Sequence, residues 1–419
     1  MRRLPDILFG SLTENPVQRR NVFWMILGRL LTSSGAVFVA APVFQAYLVS
    51  AGLGTGLIGA IGSVGSVAAG VGMFALIGVA DRVQNRIRTL VLCMLALIIT
   101  PIVLAVLSQL GPETKTAGTV FVVVMALRIG DEFLGSFRSM VRSSMMVRAF
   151  RVNVRGRLTG IAGFISGLAA LGLGLVTMKI LRELESPLGF TVCFALAPVL
   201  YVGGAFVRLN LRELPELKRP GRSGSAFPWA AIWDVLRLRE FRVLVAPNIL
   251  RGTVAGVGYF AWVVAIKRLE LPPAYAGLGA AANAVAGTLL GNVAIGLFLD
   301  RRGPGPVLFA GGVLGAIAMV AMVLTPSPRV FLGFYGLFVF GMKLTGGGVP
   351  LGVFEIAPPE IIGAFNGARL MLTIAATAIS ISVAGQLLKT LGPLPVFAAG
   401  AALSVVTGIW YWYAFRRTG

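Results

Sequence analysis

The 419-residue sequence is 57% hydrophobic and only 13% charged, with a formal charge of +21 and a mean hydropathy of +0.86. That balance excludes an ordinary soluble domain. With no histidine at all, it also excludes histidine proton relays, imidazole ligation of haem or zinc, and Ser-His-Asp hydrolysis.

The chain begins with a polar, Pro-containing stretch to Arg20 that has no compact apolar core and no small-residue cleavage site, so the first hydrophobic helix is expected to be retained. Apolar runs of about 20 residues, each able to cross about 30 Å of hydrocarbon, follow near 22–48, 55–78, 89–109, 118–137, 158–178 and 190–207. A Pro-, Gly- and Ser-containing linker over 209–241 comes next. Within it Trp229, Ile232, Trp233 and Leu236 recur at helical spacing, predicting a short amphipathic helix that lies either at the membrane interface or on the bundle's own end. Six further runs lie near 243–265, 275–298, 306–325, 330–350, 362–387 and 394–414. The expected architecture is all-α and integral to the membrane: about twelve transmembrane helices in two six-helix bundles, 1–208 and 242–419.

Most Lys and Arg residues fall on one side of these runs: the N-terminal tail, Arg82 to Arg88, Arg138 to Arg157, Arg208 to Arg242, Arg301 and Arg302, and Arg416 and Arg417. The positive-inside rule makes that side, with both termini, cytoplasmic, so the basic balance reports topology. Nucleic acid is not expected as a partner, because the basic loops mostly lack interleaved aromatics. Cys93 and Cys193 are isolated in apolar segments and support neither a disulfide framework nor a metal site. No cofactor is expected, and no Gly-x-x-x-x-Gly-Lys-Ser/Thr loop points to ATP. The expected partners are the lipid bilayer and a small solute, the expected state a monomer, and the expected location a bacterial inner membrane.

An internal repeat organises the chain. Gly78-Val-Ala-Asp81-Arg82-Val-Gln-Asn-Arg86 closes one apolar stretch, and Gly296-Leu-Phe-Leu-Asp300-Arg301-Arg302-Gly303 closes another, with the two aspartates 219 positions apart. Two homologous halves are the architecture of secondary transporters. On these residues the chain resembles the major facilitator superfamily over essentially its full length. The family's loop between helices two and three reads Gly-x-x-x-Asp-Arg/Lys-x-Gly-Arg-Arg/Lys; Gly78, Asp81, Arg82 and Arg86 match it, while Gln84 and Asn85 depart. In the second copy Gly296, Asp300, Arg301 and Gly303 match and Pro304 departs. The resemblance implies alternating access, with Asp81 latching against the start of the eleventh helix near Gly363; a fixed structural clamp is the alternative. Gly156 to Gly160 and Gly363 to Gly367 open the fifth and eleventh helices, which places Arg148 opposite Glu355 in the repeat; the resemblance implies that loops at these positions carry acidic and basic residues bridging the bundles, which makes Arg148 and Glu355 candidate switch residues. The fifth helix offers Gly163-x-x-x-Gly167, a partial match to the family's antiporter signature in which Leu168 replaces the proline. Export is therefore not established.

Charges inside the apolar runs mark the expected path, because an ionisable group facing lipid costs at least about 2.5 kcal/mol. Arg128, Asp131 and Glu132 lie in the fourth run, spaced so that Arg128 can pair with Asp131 or with Glu132, and either acid could carry a coupled proton. Arg29 and Arg251 occupy nearly equivalent places in the two halves, and Lys343 and Arg369 add positive charge, which favours an anionic solute if several face a central cavity. Tyr47 and Tyr259 are candidates for lining it. Two alternatives stay open on the same fold: a protein for assembly or delivery of a lipid or pigment, and a multidrug-type exporter. An enzyme is disfavoured, for want of a nucleophile-base or metal constellation.

Overall fold

The computed structural model describes residues 16–83, 85–110, 116–150, 152–212, 235–356 and 362–416. Several helix ends toward the termini are described by their backbone alone. No strand occurs among the described residues.

The N-terminal bundle comprises α1 (Pro16–Phe38), α2 (Ala41–Ser50), α3 (Thr55–Arg82), α4 (Arg86–Ala96), α5 (Ile99–Gln109), α6 (Ala117–Ala149), α7 (Val152–Glu183) and α8 (Leu188–Arg208). The C-terminal bundle comprises α9 (Arg239–Gly258), α10 (Ala261–Leu269), α11 (Ala274–Asn283), a π-helical segment (Ala284–Leu290), α12 (Gly291–Arg302), α13 (Pro304–Leu324), α14 (Pro328–Ile356), α15 (Ile362–Thr390) and α16 (Pro393–Arg416). Joined end to end where a span is interrupted, these give twelve rods. Eleven are long and apolar enough to cross a bilayer. The remaining one, α6, departs from that composition because Arg128, Asp131 and Glu132 sit within it.

The repeat is visible in the breaks as well as in the loops. The first rod breaks at Ala40, ahead of Pro42 in the first turn of α2, and the seventh breaks at Tyr259, 219 residues later. The first bond of α10 runs from the Val264 N–H to the Phe260 carbonyl at 2.9 Å, which leaves the Tyr259 carbonyl ahead of the ladder. The Gln45 side chain, just past the first break, donates to that carbonyl at 2.6 Å. The second break thus finds its partner in the other bundle, as backbone at membrane depth requires.

Where the bundles meet, α3 packs along α15 and α7 along α11 and the π segment, while α2 packs on α10 and α11. Small residues permit the approach. A Cβ on Gly277 would lie 2.3 Å from the Met178 backbone nitrogen, and one on Gly174 2.7 Å from that of Ala281. The glycines of α3 line this contact: Gly59 against Phe260 and Ile381, Gly62 against Tyr259, Gly70 against Ile374. Gly287 and Gly291 instead pack within the C-terminal bundle, against Val339 and Lys343 of α14.

The apolar core is uneven along the bundle. At the end away from the termini one cluster, from Tyr47 and Phe194 to Trp262 and Phe331, runs through both bundles. Toward the termini it divides into one cluster around Val141, Met145 and Phe150 and another around Phe241, Phe365 and Tyr411, against which Phe74 of α3 packs. Among the described side chains, one core therefore joins both bundles at the far end, and two clusters, with Phe74 reaching from one bundle to the other, take its place toward the termini.

The fourth span runs beyond the expected 118–137. At 33 residues α6 is about 50 Å long, at about 1.5 Å per residue, so its charged extension remains helical. Arg138 and Arg142, expected in a loop, belong to α6. Arg208, assigned to the same basic side, ends α8 and is only 5% exposed. The predicted amphipathic helix falls mostly on residues outside those described.

Candidate functional site

A cavity of about 280 Å³ lies within the N-terminal bundle and reaches the inter-bundle break at Tyr259. Phe44 and Gln45 of α2, Thr100 and Leu104 of α5, Arg128, Asp131, Glu132 and Arg138 of α6, and Tyr201 of α8 line it. The long α6 carries four ionisable groups into this space because its charged positions recur within about three turns on one side.

The three central charges do not form one cluster. Arg128 pairs with Glu132 one turn away, both side chains about one-third exposed to the cavity (30% and 33%). Its guanidinium carbon also stands 5.8 Å from the Phe44 ring centroid, a cation-π geometry, and it packs over Gly65 of α3, where a Cβ would be 3.5 Å from Arg128 Nε. Asp131 takes another partner: the Thr100 hydroxyl donates to its Oδ1 at 2.8 Å. Of the two sequence alternatives, then, the ion pair is Arg128–Glu132, and Asp131 is held by a neutral group. Arg128 and Arg138 both act on Asp131 through space.

The other expected site residues are dispersed. Tyr259 lines the cavity and closes it against Gly62, where a Cβ would be 2.7 Å from the ring. Tyr47 is fully buried in the far-end core, edge-on to Phe190 and Phe194 with centroids 5.7 and 5.3 Å away. Arg369, 2% exposed, donates to Asn248 Oδ1 at 3.0 Å inside the C-terminal bundle. Arg251 is beside it, near Gly346, Arg369 and Tyr411. Neither Arg251 nor Arg369 lines the cavity. Lys343 of α14 lies over Gly291 and within electrostatic reach of Arg29 across the bundle interface. Arg29 donates to the Thr159 carbonyl of α7 at 3.1 Å and lines a second cavity of its own. Of the expected switch residues, Gly78, Asp81, Arg82, Gly296, Asp300, Arg301, Arg148 and Glu355 lie outside the described side chains. Arg86 is described; it starts α4 and is 4% exposed.

Sequence reasoning missed Thr100, Arg138, Tyr201 and Arg208. Thr100 had a faint signal, a hydroxyl before Pro101 in an otherwise apolar run; the arginines were hidden by being counted as loop charge.

The sequence matches the profile of the Major Facilitator Superfamily over residues 25–354. The chain belongs to this superfamily. Solved superfamily structures share its fold: the nucleoside transporter NupG, in a point-mutant form, at TM-score 0.70 and 16% identity over 94% of this chain and 99% of that one; a D-xylose-proton symporter at TM-score 0.71 and 16% identity over 94% and 97%; and the human organic anion transporter MFSD10 at TM-score 0.65 and 17% identity over 95% and 100%. No curated protein matches the sequence. The superfamily assignment makes the chain a multi-pass membrane transporter rather than an enzyme. A nucleoside, a sugar and an organic anion have little chemistry in common, so the shared fold does not choose among substrates.

Proposed function

We propose that this superfamily member is a proton-coupled secondary transporter of a small anionic solute, working by alternating access with Asp131 as the proton carrier. The observation that carries the reading is the unequal company of the two acids on α6. Glu132 is held by Arg128, and taking up a proton there would break an ion pair. Asp131 is bonded to a hydroxyl, which can donate to the carboxylate and accept from the carboxylic acid, so the bond survives both states. An acid that keeps its partner whichever state it is in suits repeated loading and unloading.

The anionic preference is supported by the excess of cations lining the two cavities, Arg29, Arg138 and Arg142 among them. Alternating access is supported by the single far-end core and the two terminal-end clusters among the described side chains, the packing expected of a state shut at the far end. The end with the termini is read as cytoplasmic, since Arg19, Arg20, Arg88, Arg212, Arg239, Arg242 and Arg416 gather there.

In proteoliposomes of the purified protein, Asp131→Asn should abolish substrate uptake driven by a pH gradient while leaving equilibrium exchange of the same solute measurable. Gradient-driven uptake at the wild-type rate in that variant would remove Asp131 from the coupling.

A further inference from the structure

Toward the termini, the N-terminal bundle holds the second cavity, about 270 Å³ in volume. Four arginines line it: Arg29 from α1, Arg138 and Arg142 from α6, and Arg208 from the end of α8; its lining includes no carboxylate among the described residues. Arg208 is the most enclosed, at 5% exposure. Its Nη1 donates to the Gly204 carbonyl at 2.8 Å and sits 3.2 Å from Met94 Sδ, and its Nη2 donates to Thr32 Oγ1 at 2.9 Å. Its Nε is buried with no partner among the described residues. Arg29 bonds a carbonyl, that of Thr159. The Arg138 and Arg142 side chains make no hydrogen bond among the described residues.

Every bond these guanidiniums make there therefore goes to a neutral group, and the arginines act on one another instead. Arg208 is repelled by Arg138, Arg142 and Arg29 together, Arg29 by Arg142, and Arg142 by Arg138. Asp131 reaches Arg138 from the neighbouring cavity, and it leaves the other three without a counter-charge among the described residues. Arg138 and Arg142 are one turn apart on α6, so a single helix face delivers both to the cavity. A cluster of like charges gathered around an open space, not around an acid, has no counter-ion among the described residues.

We propose that this pocket binds a small oxyanion of the phosphate type carrying two or more negative charges. Guanidinium forks match phosphate oxygens in paired hydrogen bonds, and the Ser33 and Tyr201 hydroxyls lining the cavity add neutral donors, while the Thr32 hydroxyl donates to the Gly28 carbonyl. The volume falls just below the roughly 300–1,000 Å³ of pockets for drug-sized ligands, which suits inorganic phosphate, pyrophosphate, a short phosphomonoester or the phosphate of a lipid headgroup. The site lies away from Arg251, so it involves one bundle only and needs no pair of arginines facing across the molecule. It deepens the anionic-solute reading and rests on that reading for its use in transport, though not for binding.

The test is a titration of the purified full chain, stripped of lipid in detergent, with sodium pyrophosphate and inorganic phosphate against chloride at equal ionic strength. Calorimetry and thermal stabilisation should both report binding. Each of Arg138→Gln and Arg142→Gln should weaken it by about tenfold or more, the loss of a charge-assisted contact. Arg182→Gln, exposed at the opposite end, should leave it unchanged. Arg142 is the informative position, because its side chain makes no hydrogen bond among the described residues. A second arm reconstitutes the chain into phosphatidylcholine nanodiscs containing phosphatidate and reads retained lipid by mass spectrometry. Phosphatidate kept by the wild type and lost from Arg142→Gln assigns the oxyanion to a lipid headgroup; pyrophosphate binding without lipid retention assigns it to a soluble anion. Neither signal, or binding that survives both substitutions unchanged, overturns the site. Asp131→Asn separates the two readings. If it ends gradient-driven flux yet still binds pyrophosphate, both stand; if flux continues at the wild-type rate while the arginine-dependent binding persists, the carrier reading falls and the pocket stands.

Discussion

At the level of single residues, Asp131 and Glu132 are neighbours in sequence with different environments, one bonded to a hydroxyl and the other to an arginine. That difference makes separate predictions for their partners. Glu132→Gln leaves the Arg128 guanidinium in the cavity without its charge partner. Removing one member of a bonded charge pair costs about 1–3 kcal/mol, and because each side chain is about one-third exposed water takes up part of that, placing the expected loss near about 1 kcal/mol. The double variant Arg128→Gln, Glu132→Gln should recover part of the loss, because the orphaned charge is gone; thermal unfolding of the two purified variants gives the comparison. Thr100 acts through Asp131, so it is a positioning residue. Thr100→Val should reduce gradient-driven uptake and Thr100→Ser should restore it, whereas a purely packing role would favour the similarly shaped Val over the smaller Ser.

At the level of helices, the contact between α7 and α11 depends on backbone proximity. Gly277 approaches the Met178 nitrogen and Gly174 the Ala281 nitrogen so closely that even a methyl group has no room, and the opposing atoms are backbone, which cannot rotate aside. Gly277→Ala and Gly174→Ala should each destabilise the protein by about 1–3 kcal/mol, the usual cost of overpacking, and slow transport by wedging the bundles apart. Gly172→Ala on the same helix has nothing within 4 Å of its added carbon and should be neutral or slightly stabilising, since alanine is the better helix former. Equal melting temperatures for the Gly172, Gly174 and Gly277 variants would show that this interface is looser than its geometry implies. Helix extent also explains what the sequence hid. Hydropathy follows the apolar part of α6 and stops near residue 137, but hydrogen bonding carries the helix to Ala149, so Arg138 and Arg142 pass for loop charges when they line a cavity. Arg208 is hidden for the same reason at the end of α8.

For the whole molecule, the repeat was the most legible feature, because paired glycine, aspartate and arginine at matched loops leave a mark that apolar composition alone does not. It extends to the breaks at Ala40 and Tyr259. Which face of a helix turns inward was much less legible: in segments apolar on all sides, nothing in the one-dimensional pattern separates Tyr259, which lines the cavity, from Tyr47, which is sealed in the core. The cross-bundle packing at the far end makes the last prediction. A Cβ on Gly59 would lie 3.5 Å from the Gly385 Cα, and one on Gly385 would lie 3.6 Å from the Gly59 Cα. These are Cβ–Cα distances, and they bring the two added carbons near enough for a disulfide, whose Cβ atoms are about 3.5–4.5 Å apart, once the Phe260 ring, 3.0 and 3.1 Å from them, gives way. The native Cys93 and Cys193 are buried and offer little competition to an oxidant. In the double variant Gly59→Cys, Gly385→Cys, oxidation should therefore join α3 to α15 in high yield and arrest flux. Reduction should restore flux, and each single cysteine variant should be indifferent to the oxidant. If the cross-link forms and transport continues at its full rate, the far end does not have to open during the cycle, and the motion that carries solute must be sought elsewhere than in the separation of α3 from α15.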